Sequence, residues 1–327
     1  MCTAITYKTE DSYFGRNLDL HYSYDEKVTI TPRNFPFHFK AASLSLERHY
    51  AMIGMATIID GYPLYYEASN EKGVSMAGLN FPGNAVFKPF DENRTNISPY
   101  EFIPYILGQC KNMSEVRELL SKMNLVDIPF SKDLPLAPLH YMIAHGEESL
   151  TIEAVEEGLK IYDNPVGVLT NNPPFPYHLQ RLQDFMHVTS HAPENLFSPK
   201  IKLRADSLGM GSIGLPGDYS SNSRFIRAAF VKLNSPSPSS ERESVHQFFH
   251  ILSSVFQPKG CSLVDDEHYE YTIYSSCINT DKGIYYYRTY DDSEIHAVKL
   301  FLEDLESTGL TSYPLAQPKG FHVQNPK

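Results

Sequence analysis

The chain has 327 residues, 42% of them hydrophobic, enough for one large domain or two small ones around a sizeable core. Its 28 Lys and Arg against 39 Asp and Glu leave a net charge of −11, which argues against nucleic-acid and anionic-membrane partners, because both need basic patches. No apolar run approaches the roughly 18 residues of a membrane span, and no basic n-region with an apolar core marks a signal peptide.

The first third reads as strands. CTAITYK alternates small or apolar with polar residues, YFGRNLDL follows a short turn at Glu10-Asp11-Ser12, and KVTITPR comes next. YAMIGMATII and GVSMAGLNF continue the pattern, joined through the turn signal NEKG. Helical spacing takes over at SPYEFIPYILGQC and SEVRELLSKMN, where Ser114 is the expected N-cap with Glu115 in the first turn. LHYMIAH, SLTIEAVE and LKIYDN then read as a strand meander through the turns GEE and EEG.

VGVLTNNPPFP reads as a strand entering a proline-rich turn, and a loop-rich stretch follows as far as GMGSIGLPGD. SRFIRAAFVKL and VHQFFHILSSV have helical spacing, with NSPSPSSERES as a surface loop between them. YTIYSSCIN, the turn TDKG, GIYYYRTY and IHAVKL return to strands. Hairpin-type connections predict an α+β protein with antiparallel sheets sharing one core rather than a parallel doubly wound sheet. The glycines form neither GxGxxG nor a P-loop, so nothing points to a nucleotide.

Four cysteines, Cys2, Cys110, Cys261 and Cys277, contain no CxxC pair, so no zinc site is expected. Scattered thiols suit a reducing cytosol, and a cytoplasmic location is expected. Cys2 stands apart because it follows Met1 directly. Cleaving an amide needs a nucleophile and a base to take its proton. If Met1 is trimmed, Cys2 offers both: a thiol with a reference pKa of about 8.5 and an α-amine of about 7.7–8.0. Arg16 and Asp19, in FGRNLDL, return beside that terminus through the hairpin. Arg16 can favour thiolate by its charge, and Asp19 can accept from the amine. Acyl transfer also needs donors for the oxyanion. Asn171 in VLTNNPP and Asn80 in AGLNFP sit at strand ends where a turn begins, and Arg224 opens a helix from which it can add positive charge.

The ordered set MCTA, FGRNLD, NEKGVSMAGLNFP, VGVLTNNP, GLPGD with SRFIRAAF, and GIYYYRTY resembles the choloylglycine hydrolase family. That family comprises bile salt hydrolases and their penicillin V acylase relatives, within the N-terminal nucleophile hydrolases. The resemblance runs from residue 2 to about residue 298. It implies a four-layer αββα sandwich, here a single domain over 1–327 with Met1 removed on maturation. It implies Cys2 as nucleophile with its own amine as base, and Arg16, Asp19, Asn171 and Arg224 as catalytic partners. It also implies an oxyanion hole from the Asn171 side chain and the Asn80 backbone N–H. Neither metal nor cofactor is implied. A homotetramer is implied, with the stretch near 184–217 reaching a neighbouring subunit.

For substrate, penicillin V acylases tend to carry Tyr where this chain has Asn80, so the resemblance favours conjugated bile salts. The matching pocket positions are Leu18, Ile59, Tyr66, Phe130, Leu134 and Leu139, mostly apolar as a steroid face requires. An acylase for penicillin V or another N-acyl amide is the alternative within the fold. A non-catalytic binding protein is the alternative outside it, and the intact set of polar residues argues against that.

Overall fold

The computed structural model describes residues 1–237, 239–318, 320–321 and 323–325. In chain order the strands are β1 Cys2–Lys8, β2 Ser12–Leu20, β3 Lys27–Thr31, β4 Phe37–Phe39, β5 Leu44–Leu46, β6 Met52–Ile59, β7 Tyr62–Asn70, β8 Ser75–Asn80 and β9 Thr95–Ile97. They continue as β10 Met123–Leu125, β11 Leu139–His145, β12 Glu148–Val155, β13 Gly158–Asp163, β14 Val168–Leu169, β15 Tyr271–Asn279, β16 Ile284–Thr289, β17 His296–Lys299 and β18 Thr311–Pro314. The helices are α1 Phe102–Gln109, α2 Met113–Ser121, α3 Phe175–Arg181, α4 Ser221–Leu233 and α5 Glu241–Ser253.

Two large antiparallel sheets form, as expected. One has six strands in the order β14-β1-β2-β15-β16-β17, and the other has eight in the order β13-β12-β11-β8-β7-β6-β3-β18. Strand alternation explains the layering. In the eight-stranded sheet Ile53, Met55, Ala77, Leu79, Met142 and Ala144 pack into a core shared with the six-stranded sheet. Their neighbours Met52, Ala56, Met76, Tyr141 and Ile143 pack instead with α1 and α2 residues such as Phe102, Ile106 and Val116. Both faces of these strands are therefore apolar, because both are covered. Phe225 and Ala228 of α4 and Phe248 and Leu252 of α5 close the outer face of the six-stranded sheet. The result is the αββα sandwich.

Several local expectations need correcting. NEKG joins β7 to β8, so a whole strand, Tyr62–Asn70, lies between the two segments the sequence linked. Its pattern is hard to read because Pro63 interrupts it and a bulge breaks its register, with Met55 opposite Glu67 and Ala56 opposite Tyr65. The cap of α2 is Asn112, whose side chain accepts from the Glu115 N–H, so Ser114 lies inside the helix. Asn caps as well as Ser, and counting from Asn112 puts Glu115 at N3. SPYEF starts with a 3₁₀ turn at Pro99–Glu101 before α1. The ERES of the expected surface loop belongs to α5, which Ser240 caps. The short β14 is followed by a brief turn and then by α3, not by proline-rich turn alone. The stretch 184–217 is irregular as expected, apart from 3₁₀ turns reaching Phe185 and at Met210–Ser212.

Candidate active site

Strand register brings the polar residues to Cys2. In the β1–β2 hairpin Cys2 lies opposite Leu18 and Ala4 opposite Arg16. On the other side of β1, Ala4 lies opposite Leu169, so two residues on, Asn171 reaches the level of Cys2. Residues directly opposite each other share a face, and the faces alternate along each strand. Cys2, Leu18 and Arg16 therefore point between the sheets, whereas Thr3, Asn17 and Asp19 point towards the helices. Arg16 and Asp19 thus approach the terminus from opposite faces of one sheet.

Arg16 is wholly buried and ends where β7 and β8 separate. The last pair of that ladder is Glu67 with Ala77. The next pair would join Tyr66 and Gly78, and there the Arg16 Nη1 donates to both carbonyls, at 3.1 and 2.6 Å. The guanidinium replaces a missing rung, and the bulge at Tyr66 opens the gap for it. Burial works against the Arg16 charge, yet the nearby acids Cys2, Tyr274, Glu67 and Asp19 hold its pKa above the usual value.

On the helical face, Asp19 and Arg224 are both buried, with Nη1 to Oδ2 at 4.0 Å. The Thr272 hydroxyl donates to Asp19 Oδ1 at 2.7 Å, and Oδ2 is buried without a hydrogen-bond partner. Burial pushes the Asp19 carboxyl above its usual range, opposed by Arg224. Arg224 lies one turn into α4, where Ser220 caps the helix by accepting from the Ser223 N–H. Its Nη1 donates to the Cys2 carbonyl at 2.6 Å and to Thr3 Oγ1 at 2.7 Å, and its Nη2 donates to Asn171 Oδ1 at 2.8 Å.

Asn171 is held from all sides. Oδ1 also accepts from the Cys2 N–H at 2.8 Å, and Nδ2 donates to the Asn80 carbonyl at 2.8 Å. Its backbone N–H donates to Ser221 Oγ at 2.8 Å, and its carbonyl faces His178 Nε2 at 2.9 Å. Two donors on Oδ1 leave the amide one orientation. Phe81 N–H donates to the Pro138 carbonyl, and Asn80 lies opposite Leu139 in the same ladder. Bonded pairs alternate in an antiparallel ladder, so the N–H and C=O of Asn80 both point away from β11, towards Asn171.

Met1 occupies the space in front of this cluster. Its ammonium donates to the Asp19 carbonyl at 3.0 Å and pairs with Glu270. Its carbonyl accepts from the Asp19 N–H at 3.1 Å. Burial lowers the pKa of this amine. With Met1 attached, the nitrogen of Cys2 is an amide and not a base.

Cys2 lines a cleft of about 990 Å³. Leu18, Ile59, Tyr66, Phe130, Leu134 and Leu139 all line it. The sequence reading missed other lining residues, among them Leu20, Tyr24, Tyr100 and Glu270. Nothing in their local spacing marks them, because they reach the cleft from separate loops and strand ends. Thr272 and Ser221 were missed because they meet Asp19 and Asn171 only across 253 and 50 residues. One trio of possible metal ligands among the described residues, Asp292, Glu294 and His296, lies within 4.8 Å, and none of the three lines the cleft.

The arrangement places a thiol beside an arginine, a fixed amide and a turned-out backbone N–H, on the wall of a largely apolar cleft. These are the parts an acyl-transfer site uses. Comparison with known proteins points the same way. The family model for linear amide C–N hydrolases, choloylglycine hydrolase family, matches residues 2–313. A bile salt hydrolase/transferase of Lactiplantibacillus plantarum is 54% identical over 325 residues, 99% of this chain and 100% of that protein. Another of that description, from Clostridium perfringens, is 37% identical over 96% of each chain. A crystal structure of a variant of the conjugated bile acid hydrolase from Clostridium perfringens superposes with a TM-score of 0.91 at 35% identity, covering 99% of this chain and 100% of that one. The penicillin V acylase of Agrobacterium tumefaciens shares the fold, with a TM-score of 0.76 at 17% identity over 95% of this chain and 90% of that one.

Proposed function

We propose that this chain, which belongs to the choloylglycine hydrolase family of linear amide C–N hydrolases, cleaves the amide of glycine- or taurine-conjugated bile acids. It is an amide hydrolase, and the observation that carries the bile-salt reading is the cleft: a largely apolar space of about 990 Å³ whose lining includes Cys2. The relatives described as bile salt hydrolases support it, with 54% and 37% identity across nearly the whole chain.

The reaction proceeds in two halves. Met1 is first removed, which frees the Cys2 amine. The unpartnered Asp19 Oδ2 is an acceptor suited to that amine once it is charged. The thiol passes its proton to the amine, and Sγ attacks the amide carbonyl. The oxyanion is held by Asn171 Nδ2, which has a second hydrogen beyond the one given to Asn80, and by the Asn80 N–H. The ammonium then protonates the departing nitrogen, glycine or taurine leaves, and an acyl thioester remains. Water, deprotonated by the same amine, hydrolyses the thioester and releases free bile acid. Arg16 stabilises thiolate, and Arg224 fixes Asn171 and balances Asp19. An amine in place of water at the thioester turns the same site into an acyltransferase.

The chain acts as one domain, in the cytoplasm, with its four cysteines as free thiols. It assembles as a homotetramer through the stretch 184–217. The apolar side chains that this stretch leaves in solvent support that, among them Leu196 and Phe197 at 88% and 83% exposed.

The test compares hydrolysis of glycocholate, taurocholate and penicillin V by wild type and by Cys2→Ala. Turnover of the two bile salts that vanishes in Cys2→Ala is the expected result. A strong preference for penicillin V sinks the bile-salt reading, and turnover that survives Cys2→Ala sinks the thiol mechanism.

A further inference from the structure

Beneath Arg16 lies a carboxylate that the mechanism above does not use. Glu67, on β7, is fully buried between the two sheets. Its Oε2 accepts from the Tyr274 hydroxyl at 2.7 Å, and its Oε1 accepts from the Tyr285 hydroxyl at 2.5 Å. Both tyrosines come from the opposite sheet, on β15 and β16. The Arg16 Nε stands 3.9 Å from Oε2. Arg16 is tied to the same place by its own backbone, whose N–H donates to Ser276 Oγ at 3.2 Å.

A buried carboxylate is costly unless donors and a cation face it. The hydroxyls of Tyr274, Tyr285 and Ser276 and a guanidinium do so here, and an apolar residue would fill the volume without that cost. Burial pushes the Glu67 carboxyl up, while Arg16 and the two tyrosines pull it back towards the charged form. The groups around Arg16 are Cys2 on β1, Asp19 on β2, Glu67 on β7 and Tyr274 on β15. Tyr285 on β16 reaches it through Glu67, and Arg224 on α4 reaches it through Asp19. Glu67 stands against Arg16 and Asp19 against Arg224, so each guanidinium near the thiol faces a carboxyl that can offset it.

We propose that Glu67 is a positioning residue for Cys2, one that anchors the Arg16 guanidinium in the gap between β7 and β8 and offsets its charge. Without that offset Arg16 over-stabilises the thiolate, which is then present at lower pH but is a weaker nucleophile. This role rests on the reading of Cys2 as the nucleophile.

The experiment uses the processed chain in a Cys261→Ser background, since Cys261 is the exposed cysteine. Alkylation of the Cys2 peptide by iodoacetamide is followed by mass spectrometry across pH. In Glu67→Gln the alkylation midpoint falls by about one pH unit, the scale of losing one nearby charge. The plateau rate falls about threefold, as a nucleophilicity slope of roughly 0.4–0.5 per unit requires. Glu67→Asp keeps the charge and restores the midpoint to within a few tenths of a unit. Should Glu67→Gln not fold, Tyr285→Phe reads the same property. It removes a donor that holds Glu67 in its charged form, weakens the offset to Arg16, and lowers the midpoint. An unmoved midpoint in Glu67→Gln, a displacement in Glu67→Asp equal to that in Glu67→Gln, or an unmoved or raised midpoint in Tyr285→Phe overturns the proposal. A packing role alone lowers stability and leaves the midpoint in place. Glycocholate hydrolysis is measured on the same samples. If wild type alkylates as described but does not hydrolyse glycocholate, the substrate reading fails and this one stands.

Discussion

Arg224 Nη2 donates to Asn171 Oδ1 at 2.8 Å, and so decides which end of that amide faces the cleft. The same guanidinium reaches the Cys2 carbonyl and Thr3 Oγ1. Arg224→Lys keeps the charge beside Asp19 but cannot hold three acceptors in one plane. The expected loss in kcat/KM is at least about 100-fold, the range for a lost oxyanion donor. The expected loss of stability is about 1–3 kcal/mol, for buried acceptors left unpaired. Steady-state kinetics and urea unfolding check the two separately. Near-normal turnover would show that Asn171 holds its orientation without Arg224.

A second prediction concerns the residue in front of Cys2. Met1 pairs with Glu270 and lies against the Asp19 backbone, so it fills space before the thiol as well as blocking the amine. A tag that stays attached to Cys2 is expected to leave a folded but inactive protein. Cleavage that exposes the Cys2 amine restores activity. Intact mass read beside the rate decides the matter, and full activity at a mass that retains an N-terminal residue contradicts the amine as base.

The cleft wall makes a prediction of a different kind. Leu134 lines the cleft but belongs to no long strand or helix, so its replacement disturbs little else. Leu134→Ser removes apolar contact of about 1–2 kcal/mol. KM for glycocholate is expected to rise roughly 5- to 30-fold with kcat within about twofold, because contact with a steroid face is the same in ground and transition states. A fall in kcat at constant KM would place Leu134 in the chemistry instead.

Stability should also depend on pH through Lys232. Its Nζ donates to the Val166 carbonyl at 2.6 Å, and burial pushes its pKa down to about 8 from an ordinary 10.5. For a base lowered in the folded state, the unfolded chain binds more protons between those two values. The unfolding free energy therefore rises as pH climbs through that window and is flat below it with respect to this group. Urea midpoints at about pH 7, 8, 9 and 10 should show the rise, and Lys232→Met should flatten it. An identical slope in the variant would assign the rise to other groups.

Most of the fold was legible because β1, β2, β15 and β16 are rich in aromatic and β-branched residues and are joined in pairs by short turns. The strand that escaped, β7, is bulged, carries Pro63 and buries Glu67, Ser69 and Asn70 beside its apolar residues, so it lacks the regular alternation that marks a strand covered on one side. Its bulge is also what admits Arg16 between β7 and β8. The irregularity that hid the strand is part of how the site is built.

By itself, the sequence determined the hairpin and so the side of it on which each residue lies. Cys2 and Arg16 share a face because a tight turn sets the register and the side-chain period is two. It also determined the chemistry available at Cys2. Only tertiary structure decided the rest. Asn171 and Arg224 reach Cys2 across 169 and 222 residues, and Tyr285 reaches Glu67 across 218. No local spacing encodes such meetings. They follow from how β14 pairs with β1, how α4 packs on the sheet, and how the two sheets close over a common core.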